Sequence, residues 1–513
     1  MKKNLNYCFG LDIQAEKQPY KKAIITEQAS ISYLELQESS FRLAGALQNK
    51  GMKNGDTILI FMPNCIEYAI VFFAAVRLNL NITLANALYK CSELGPLIRT
   101  AHPKLAFVMD DKEATLLHSA DQGLDVICVP AFLKQFYKED TSGVPSFSCQ
   151  PGPDHACICI STSGSTGKPK IVSNSYENEM VNASLYVERL LVTEDDVILT
   201  ALPATQRFGL AAMLGSCLKG ASLVLVHGFH AAAMLSLIER YHVSVQYGVP
   251  TIYLKEIKAF EAAETAPDIS SLRTGVVAGA NCSKEIFRWF DEHIGCRLLN
   301  CYGTSEIGGL AMVKYDATED VRYHTCGDVL RDAVIEITDQ EGRILPAGET
   351  GGIICRVPWV MNGYAGEPEL TARMFDEEGF FLTGDIGRLD EEGHLILSGR
   401  KKDMIIRGGY NIFPAELEQA LLNLPSVLEA CVMGYPDALL GERIFAFVKP
   451  AADSVQEEKM RQELARHIAR YKLPDHILYV EKIPKLPGGK FDYSTLRSYL
   501  EKEYSGNSED CHI

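Results

Sequence analysis

Several features are missing from this 513-residue sequence, and each absence removes a class of protein. None of its 15 cysteines falls in a CxxC pair or any other metal-type spacing, so neither a zinc ribbon nor a thioredoxin-type redox motif is encoded. The basic start, MKKNLNYCFG, is not followed by an apolar stretch, so a secretory leader is not expected. With an odd number of thiols, this points to free cysteines in a reducing cytoplasm. No apolar run approaches the ~20 residues that a bilayer span needs. The longest, YAIVFFAAV at Tyr68–Val76, reads as a core helix. Basic side chains are in deficit, 50 against 66 acidic, and the net charge of −16 argues against binding nucleic acid through phosphate neutralisation. Internal repeats and low-complexity runs are also absent.

What is present is an ordinary globular composition, 47% apolar and 23% charged, in a chain too long for one core. The acidic excess is uneven: from Arg400 onward there are 16 basic and 17 acidic residues, so nearly all of it lies earlier. Short apolar runs such as DTILIFM (Asp56–Met62), KLAFVM (Lys104–Met109) and DVICV (Asp125–Val129) alternate with segments of helical period. Tyr33–Met52 places Leu34, Leu36, Phe41, Leu43 and Leu47 near one face and stops at Gly51. The alternation returns in SLVLVH, AAAMLSLIERYH and VSVQYGV, and it predicts parallel sheets covered by helices. After about residue 325, VIEITDQEGRILP, GGIICRV and LDEEGHLILSGR read as hairpins of a β-rich subdomain. A compact α+β unit then follows, containing AELEQALLN, CVMGYP, RIFAFVKP and EEKMRQELARHIARY. The polar pentapeptide GRKKD (Gly399–Asp403) marks the boundary, giving a large domain over residues 1–399 and a small one over 400–513.

The densest chemistry lies in STSGSTGKPK, Ser161–Lys170, directly after the strand-like ACICI. Gly164 and Gly167 allow a tight turn that brings amide groups close to an anion. Ser161, Thr162, Ser163, Ser165 and Thr166 supply hydroxyls, and Lys168 supplies a charge suited to phosphate. It is not a Walker loop, because the glycines are three apart and Pro169 follows the lysine. Five further segments share this chemistry. NCYGTSE (Asn300–Glu306) offers Tyr302 to stack on a base, Ser305 to touch phosphate and Glu306 as an oxygen ligand for Mg²⁺. FLTGD ends in Asp385, suited to ribose hydroxyls. GRKKD follows, then RGGYNIFPAELE with Pro414 opening a helix, and finally PKLPGGKFD, which raises Lys490 on a Gly-rich loop.

In this order and spacing the segments resemble the adenylate-forming superfamily, which comprises acyl-CoA and aryl-CoA synthetases, nonribosomal peptide adenylation domains and firefly luciferase. The likeness runs from Ile31 to about Arg497. It implies that Thr162, Ser163, Gly164, Ser165, Thr166, Gly167 and Lys168 hold the ATP phosphates. It further implies an adenine slot of Gly279, Ala280, Cys301, Tyr302, Gly303 and Thr304, phosphate contact by Ser305, and Mg²⁺ on Glu306. Asp385 and Arg400 would take the ribose, and Lys402 would be the hinge of a mobile C-terminal domain. Lys490 would be the catalytic lysine of adenylation, and Gly408 and Gly409 would line the thiol channel. Gln206, Tyr247, Gly248 and Gly308 would line the acyl pocket, with Gly279, Cys301 and Gly303 at its rim.

Some positions depart from the pattern. Ile171 stands where the family has Gly, Ser175–Tyr176 replaces Thr-His, and Gln206 takes the place of the usual gating His or aromatic. Phe491–Asp492–Tyr493 follows Lys490 in place of a basic residue. These positions bear on the acid and the rate; none is a phosphate or metal ligand. The resemblance implies an AMP-forming carboxylic acid–CoA ligase using ATP, Mg²⁺ and CoA, with a small-molecule acid as substrate. The alternatives are an enzyme loading the phosphopantetheine of a carrier protein, or a non-catalytic nucleotide-binding regulator, against which Glu306 and Lys490 both speak. Arg207, beside the gate, is expected to pair a second carboxylate on the substrate or to support the nearby loop.

Overall fold

The computed structural model describes residues 7–139, 157–162, 170–280, 282–407, 410–437, 440–451, 457–466, 468–486 and 491–504. Two large sheets form the body. The first has seven strands in the order Gly363–Tyr364, Lys170–Ser175, Cys157–Thr162, Asn81–Ala85, Thr57–Phe61, Leu105–Val108 and Asp125–Cys128. All its pairings from Cys157–Thr162 to Asp125–Cys128 are parallel. The second has nine strands, and its centre is a parallel run of Arg297–Thr304, Thr274–Val277, Val245–Gly248, Val197–Thr200, Ser222–Leu225 and Lys22–Ile25. Both sheets are covered by helices, as the alternating runs predict. A strand buried on both faces reads as continuous apolar sequence, which is why TILIF, LAFV and SLVL announced themselves.

Local chemistry sets the helix ends. Ser32 caps Tyr33–Asn49 by accepting from the Glu35 N–H at 3.2 Å, while Glu35 Oε2 accepts from the Ser32 N–H at 2.8 Å. The apolar run expected to be a core helix is Ile66–Arg77, buried from Tyr68 to its end. Arg77 tolerates that burial because its guanidinium is shared by Asp12 at 2.6 Å and the Ser40 hydroxyl at 2.8 Å.

The β-rich segment is a four-stranded antiparallel sheet of Val334–Thr338, Gly351–Arg356, Phe381–Leu389 and Leu395–Arg400. Its last hairpin turns on Asp390, whose Oδ1 accepts from the N–H groups of Glu392 and His394 at 3.0 and 2.8 Å. Lys401–Asp403 is a single 3₁₀ turn, after which Ile405–Arg407 opens the final sheet. That sheet pairs Tyr410–Ile412, Ile405–Arg407, Gly441–Pro450 and Val427–Asp437 antiparallel and adds His476–Tyr479 in parallel. Alternation sorts its core: Val432 and Ile444 pack under Leu417 and Leu421, whereas Cys431, Met433 and Phe445 pack under Leu496 and Leu500. The helix expected through residue 471 ends at Leu464. The chain turns back there so that His476–Tyr479 can join the sheet, with the Arg461 guanidinium donating to the carbonyls of Pro474 and Asp475.

One buried side chain ties the large sheets together. Asn64 follows Thr57–Phe61, and its Nδ2 donates to the carbonyls of Leu202 and Val226, each at 2.9 Å. Its Oδ1 accepts from the Ala204 N–H at 2.8 Å. Leu202 and Val226 follow the ends of Val197–Thr200 and Ser222–Leu225, so Asn64 clamps the C-terminal edges of both sheets. Asn64→Ala strands three buried backbone groups. It should lower the stability of the first unfolding transition by roughly 2–4 kcal/mol in urea titration, well beyond one lost hydrogen bond. A change below about 0.5 kcal/mol, the size of a neutral surface substitution, would show that the two sheets hold together without the clamp.

Candidate active site

Ligand sites of open parallel sheets form beyond the carboxyl ends of the strands, because loops there diverge and expose backbone groups. Four neighbouring strands, Val197–Thr200, Val245–Gly248, Thr274–Val277 and Arg297–Thr304, deliver most of the candidate residues to that edge. Gly279 and Ala280 are exposed just past Thr274–Val277, and a Cβ on Gly279 would meet only Val249 at 3.5 Å. Gly303 and Gly308 form a tight antiparallel return. A Cβ on Gly303 would lie 2.1 Å from the Gly308 carbonyl oxygen, and one on Gly308, at φ +62°, would lie 2.3 Å from Asn182 Oδ1. The space at Gly303 is therefore set by backbone and that at Gly308 by the Asn182 and Arg207 side chains.

Tyr302 is buried, and its hydroxyl donates to Asp385 Oδ2 at 2.5 Å. Asp385 Oδ1 lies 3.0 Å from Arg400 Nε, whose side chain is half-exposed. Burial, followed by the neighbouring Asp385 carboxylate, drives the Tyr302 phenol well above its usual range, so it acts as a donor throughout the physiological range. The Asp385 backbone N–H is itself held by the Thr383 hydroxyl at 3.0 Å. Three candidate residues, from the YGTSE, TGD and GRKKD segments, are thus linked by one hydrogen bond and one ion pair. Burial also pushes the Cys301 thiol up to about 12, so it is an uncharged wall at this edge.

Glu306 is half-buried. Its Oε1 accepts from the Tyr364 hydroxyl at 2.9 Å, and its backbone is fixed by Met361 N–H donating to its carbonyl at 2.7 Å. Among the described residues Oε2 receives no hydrogen bond, so a carboxylate oxygen remains to meet a hard cation, and the Thr304 hydroxyl lies beside it, accepting from the Glu306 N–H at 3.3 Å. Tyr364 belongs to Gly363–Tyr364, which pairs with Lys170–Ser175, the strand leaving the Ser/Gly/Lys loop. The Lys170 ammonium sits 5.0 Å from the Tyr364 ring centroid. Ser161, at the loop's entrance, is within 3.1 Å of the Tyr89 hydroxyl. Ser163, Gly164, Ser165, Thr166, Gly167, Lys168, Gly408, Gly409 and Lys490, and the side chain of Thr162, lie outside the described residues. Lys402 is exposed in its 3₁₀ turn.

The acyl-pocket candidates are arranged less simply. Gln206 is half-buried at the start of helix Arg207–Lys219, its N–H bonded to the Pro203 carbonyl at 2.9 Å. Tyr247 is fully buried between Tyr186 and Phe208, with ring centroids at 6.0 and 5.6 Å, and its hydroxyl has no partner among the described residues. A Cβ on Gly248 would meet the Tyr253 ring at 2.7 Å, so glycine serves packing there.

Arg207 corrects one expectation. It is buried, its Nη1 donates to the Ser305 carbonyl at 2.9 Å, and its Nε lies 2.9 Å from Glu179 Oε1, itself fully buried. The pair meets at ionic distance, but no aligned hydrogen bond reaches either Glu179 oxygen. Burial raises the Glu179 carboxyl above its normal value, and the Arg207 charge pulls it partly back. Arg207 is therefore committed to Glu179 and to holding Ser305; it is not a free fork for a second substrate carboxylate. Glu179, Asn182 and Tyr364 were not singled out from sequence. The one available signal was a charged residue in the helical segment after Ser175, on a face that is otherwise apolar.

Comparisons agree with this geometry. The family model described as AMP-binding enzyme matches residues 11–365, and that described as AMP-binding enzyme C-terminal domain matches residues 416–490. Enterobactin synthase component E of Escherichia coli (strain K12) is 30% identical, over 94% of this chain and 92% of its own. Medium-chain fatty-acid–CoA ligase of the same organism is also 30% identical, over 94% of this chain and 88% of its own. The crystal structure of ATP-bound MatB from Rhodopseudomonas palustris superposes with a TM-score of 0.86 at 27% identity, over 97% of this chain and all of its own. With both family models matched and relatives aligned over nearly the full length, the chain belongs to the AMP-binding enzymes, the adenylate-forming ligases.

Proposed function

We propose that this protein joins a carboxylic acid to the thiol of CoA through an acyl-adenylate, releasing pyrophosphate and then AMP. The observation that carries the reading is the Tyr302–Asp385–Arg400 unit at the same sheet edge as Glu306, whose partner Tyr364 lies on the strand paired with the one leaving the phosphate loop. In this reading Asp385 accepts from the ribose hydroxyls, Gly279, Ala280 and Gly303 leave room for a flat base, and Thr162–Lys168 take the phosphates. Glu306 would hold Mg²⁺, which supplies positive charge against the polyphosphate. The substrate carboxylate oxygen bonds to the α-phosphorus as the bond to pyrophosphate breaks. Two anions must approach for this, and Lys490 would offset their repulsion. The thiolate then attacks the acyl carbonyl and AMP leaves. Residues 400–513 would turn about Lys402 between the steps, bringing Gly408 and Gly409 over the thiol's path.

A second reading, loading of a carrier protein's phosphopantetheine, is favoured by the 30% identity to a component of enterobactin synthase. Incubation with ATP, a panel of carboxylic acids and free CoA decides between them. Thioester formed without any carrier supports the CoA ligase; pyrophosphate exchange without thioester supports the carrier reading. No exchange with any acid would sink both.

The division of labour between the two lysines is testable. Lys490→Ala should slow adenylate formation by an amount equivalent to roughly 3–4 kcal/mol, while thioester formation from supplied acyl-adenylate stays near wild type. Equal loss in both half-reactions would refute the assignment. Lys402→Pro, by fixing φ at the turn, should leave single-turnover pyrophosphate release intact and depress CoA-dependent turnover; unchanged steady-state synthesis would remove Lys402 as the pivot.

The Glu179–Arg207 pair predicts a different pattern. Arg207→Ala leaves a buried carboxylate unpaired and should cost roughly 3–5 kcal/mol of stability. Glu179→Leu combined with Arg207→Val should recover most of that loss in denaturant titration. Preference for a diacid over the monoacid of equal length, abolished by Arg207→Ala at unchanged stability, would restore the carboxylate-fork role.

A further inference from the structure

The strand that enters the phosphate loop carries two cysteines whose chemistry the ligase reaction does not use. Cys157 and Cys159 stand at alternate positions of Cys157–Thr162 and so project from one face, with their sulfurs 3.6 Å apart. Cys157 is partly exposed and Cys159 is buried. Asn81, on the neighbouring parallel strand, places its Oδ1 3.1 Å from the Cys157 N–H and 3.3 Å from its sulfur. The opposite neighbour contributes Ser175 and Ser173, in register with Cys157 and Cys159. A thiol pair in van der Waals contact, with polar groups on both flanking strands and one member open to solvent, is an unusual use of a central strand. Cys217, by contrast, is sealed alone in the core, where burial pushes its thiol up to about 12.

We propose that Cys157 and Cys159 form a peroxide-reactive dithiol, and that its reversible closure to a disulfide switches off the adjoining phosphate loop. The Cys157 thiolate attacks one oxygen of a hydroperoxide. The O–O bond breaks, the alcohol or water leaves with a proton, and a sulfenic acid forms on Cys157. The Cys159 sulfur, releasing its proton to the departing hydroxide, attacks the sulfenyl sulfur; the S–S bond forms and water leaves. Two thiols and one hydroperoxide give one disulfide, one alcohol and one water, a two-electron oxidation matched by a two-electron reduction. The geometry assigns the roles, since the less buried cysteine meets the oxidant and the buried one resolves it. The Cys159 S–H donating to Cys157 lowers the Cys157 thiol, and Cys159 itself is raised, which agrees with that order.

The consequence for the loop is mechanical. Two residues of extended strand span about 6.6–6.8 Å, at the upper end of the Cα separation a disulfide accepts, about 4.4–6.8 Å with a mode near 5.5–6 Å. Closure therefore shortens the strand around Ile158, whose register partner is Ile82, and displaces Thr162, three residues beyond Cys159. The inhibitory half of this inference rests on reading Thr162–Lys168 as the phosphate loop; the thiol chemistry does not.

The full chain, reduced and then freed of dithiothreitol, would be exposed to hydrogen peroxide. Fragmentation mass spectrometry would map its bridges, and ATP–pyrophosphate exchange would be followed on the same samples. The expected product is an internal Cys157–Cys159 bridge, with exchange falling roughly a hundredfold as the loop is misplaced and returning on addition of dithiothreitol. Cys159→Ser should accumulate a dimedone-trappable sulfenic acid on Cys157, and Cys157→Ser should keep its exchange rate in peroxide. A bridge to Cys149, over-oxidation without a bridge, or a mapped 157–159 bridge with exchange unchanged would each overturn the proposal. If a serine variant fails to fold, the wild-type map and its reversal decide alone. A reduced wild type inert with every acid would instead count against the ligase reading, while the bridge map would still judge the thiols.

Discussion

The architecture depends on holding the carboxyl edges of two separate parallel sheets against each other. Polar ties cross the seam. Asn64, beyond a strand of the seven-stranded sheet, grips three backbone groups beyond strands of the nine-stranded one. Tyr364, at the edge of the seven-stranded sheet, grips Glu306, beyond the end of Arg297–Thr304. Polar ties suit this place because loops at a strand's end leave carbonyl and N–H groups that burial would otherwise strand. The Tyr68 hydroxyl, donating to the Ala204 carbonyl at 2.7 Å, satisfies one more such group in the loop that carries Gln206.

The same seam explains why several glycines here act as spacers. In the return from Gly303 to Gly308, a side chain on Gly303 would collide with the Gly308 backbone, and one on Gly308 with Asn182 and Arg207. Asn182 Oδ1 accepts the Gly309 N–H at 2.9 Å, and Arg207 holds the Ser305 carbonyl from the other side. Ser305 and Glu306 therefore stand on a turn braced by the helix Tyr176–Arg189 and by the start of Arg207–Lys219. Such bracing matters for the roles proposed for Ser305 and Glu306, because misplacing a catalytic group costs far more in rate than in stability.

Much of this was legible in the sequence, for identifiable reasons. Doubly buried parallel strands read as unbroken apolar runs, and the Tyr33–Asn49 helix announced its stop, though not the Ser32 cap. The hairpin at Asp390 showed its turn residues. Candidate positions along YGTSE, TGD and GRKKD stood out because hydroxyls, carboxylates and glycines clustered there, although the structure places Tyr302, Asp385 and Arg400 within strands. Partners distant in sequence were not legible. Tyr364 sits in NGYAGEPE, which reads as a turn, and only the strand pairing with Lys170–Ser175 aims it at Glu306. Arg207 next to a gate left substrate recognition and support of the nearby loop both open, because no local pattern reveals that Glu179, 28 positions earlier, is buried against it.

That buried pair carries the argument beyond bracing. An ion pair sealed from water rarely gains enough attraction to repay the desolvation of both charges, and two apolar residues of similar size would hold as well. Retaining it here makes sense only if position matters more than stability. Arg207 reaches the Ser305 carbonyl with one nitrogen and the Trp359 carbonyl, at 3.5 Å, with another, while Glu179 fixes its third. A planar guanidinium held at three corners has one orientation, so it transmits the position of one helix to the turn carrying Ser305 and Glu306. An apolar replacement would fill the volume but would leave those two carbonyls without a donor and the turn without a fixed register. The chain thus places a costly charge pair just behind the turn carrying Ser305 and Glu306.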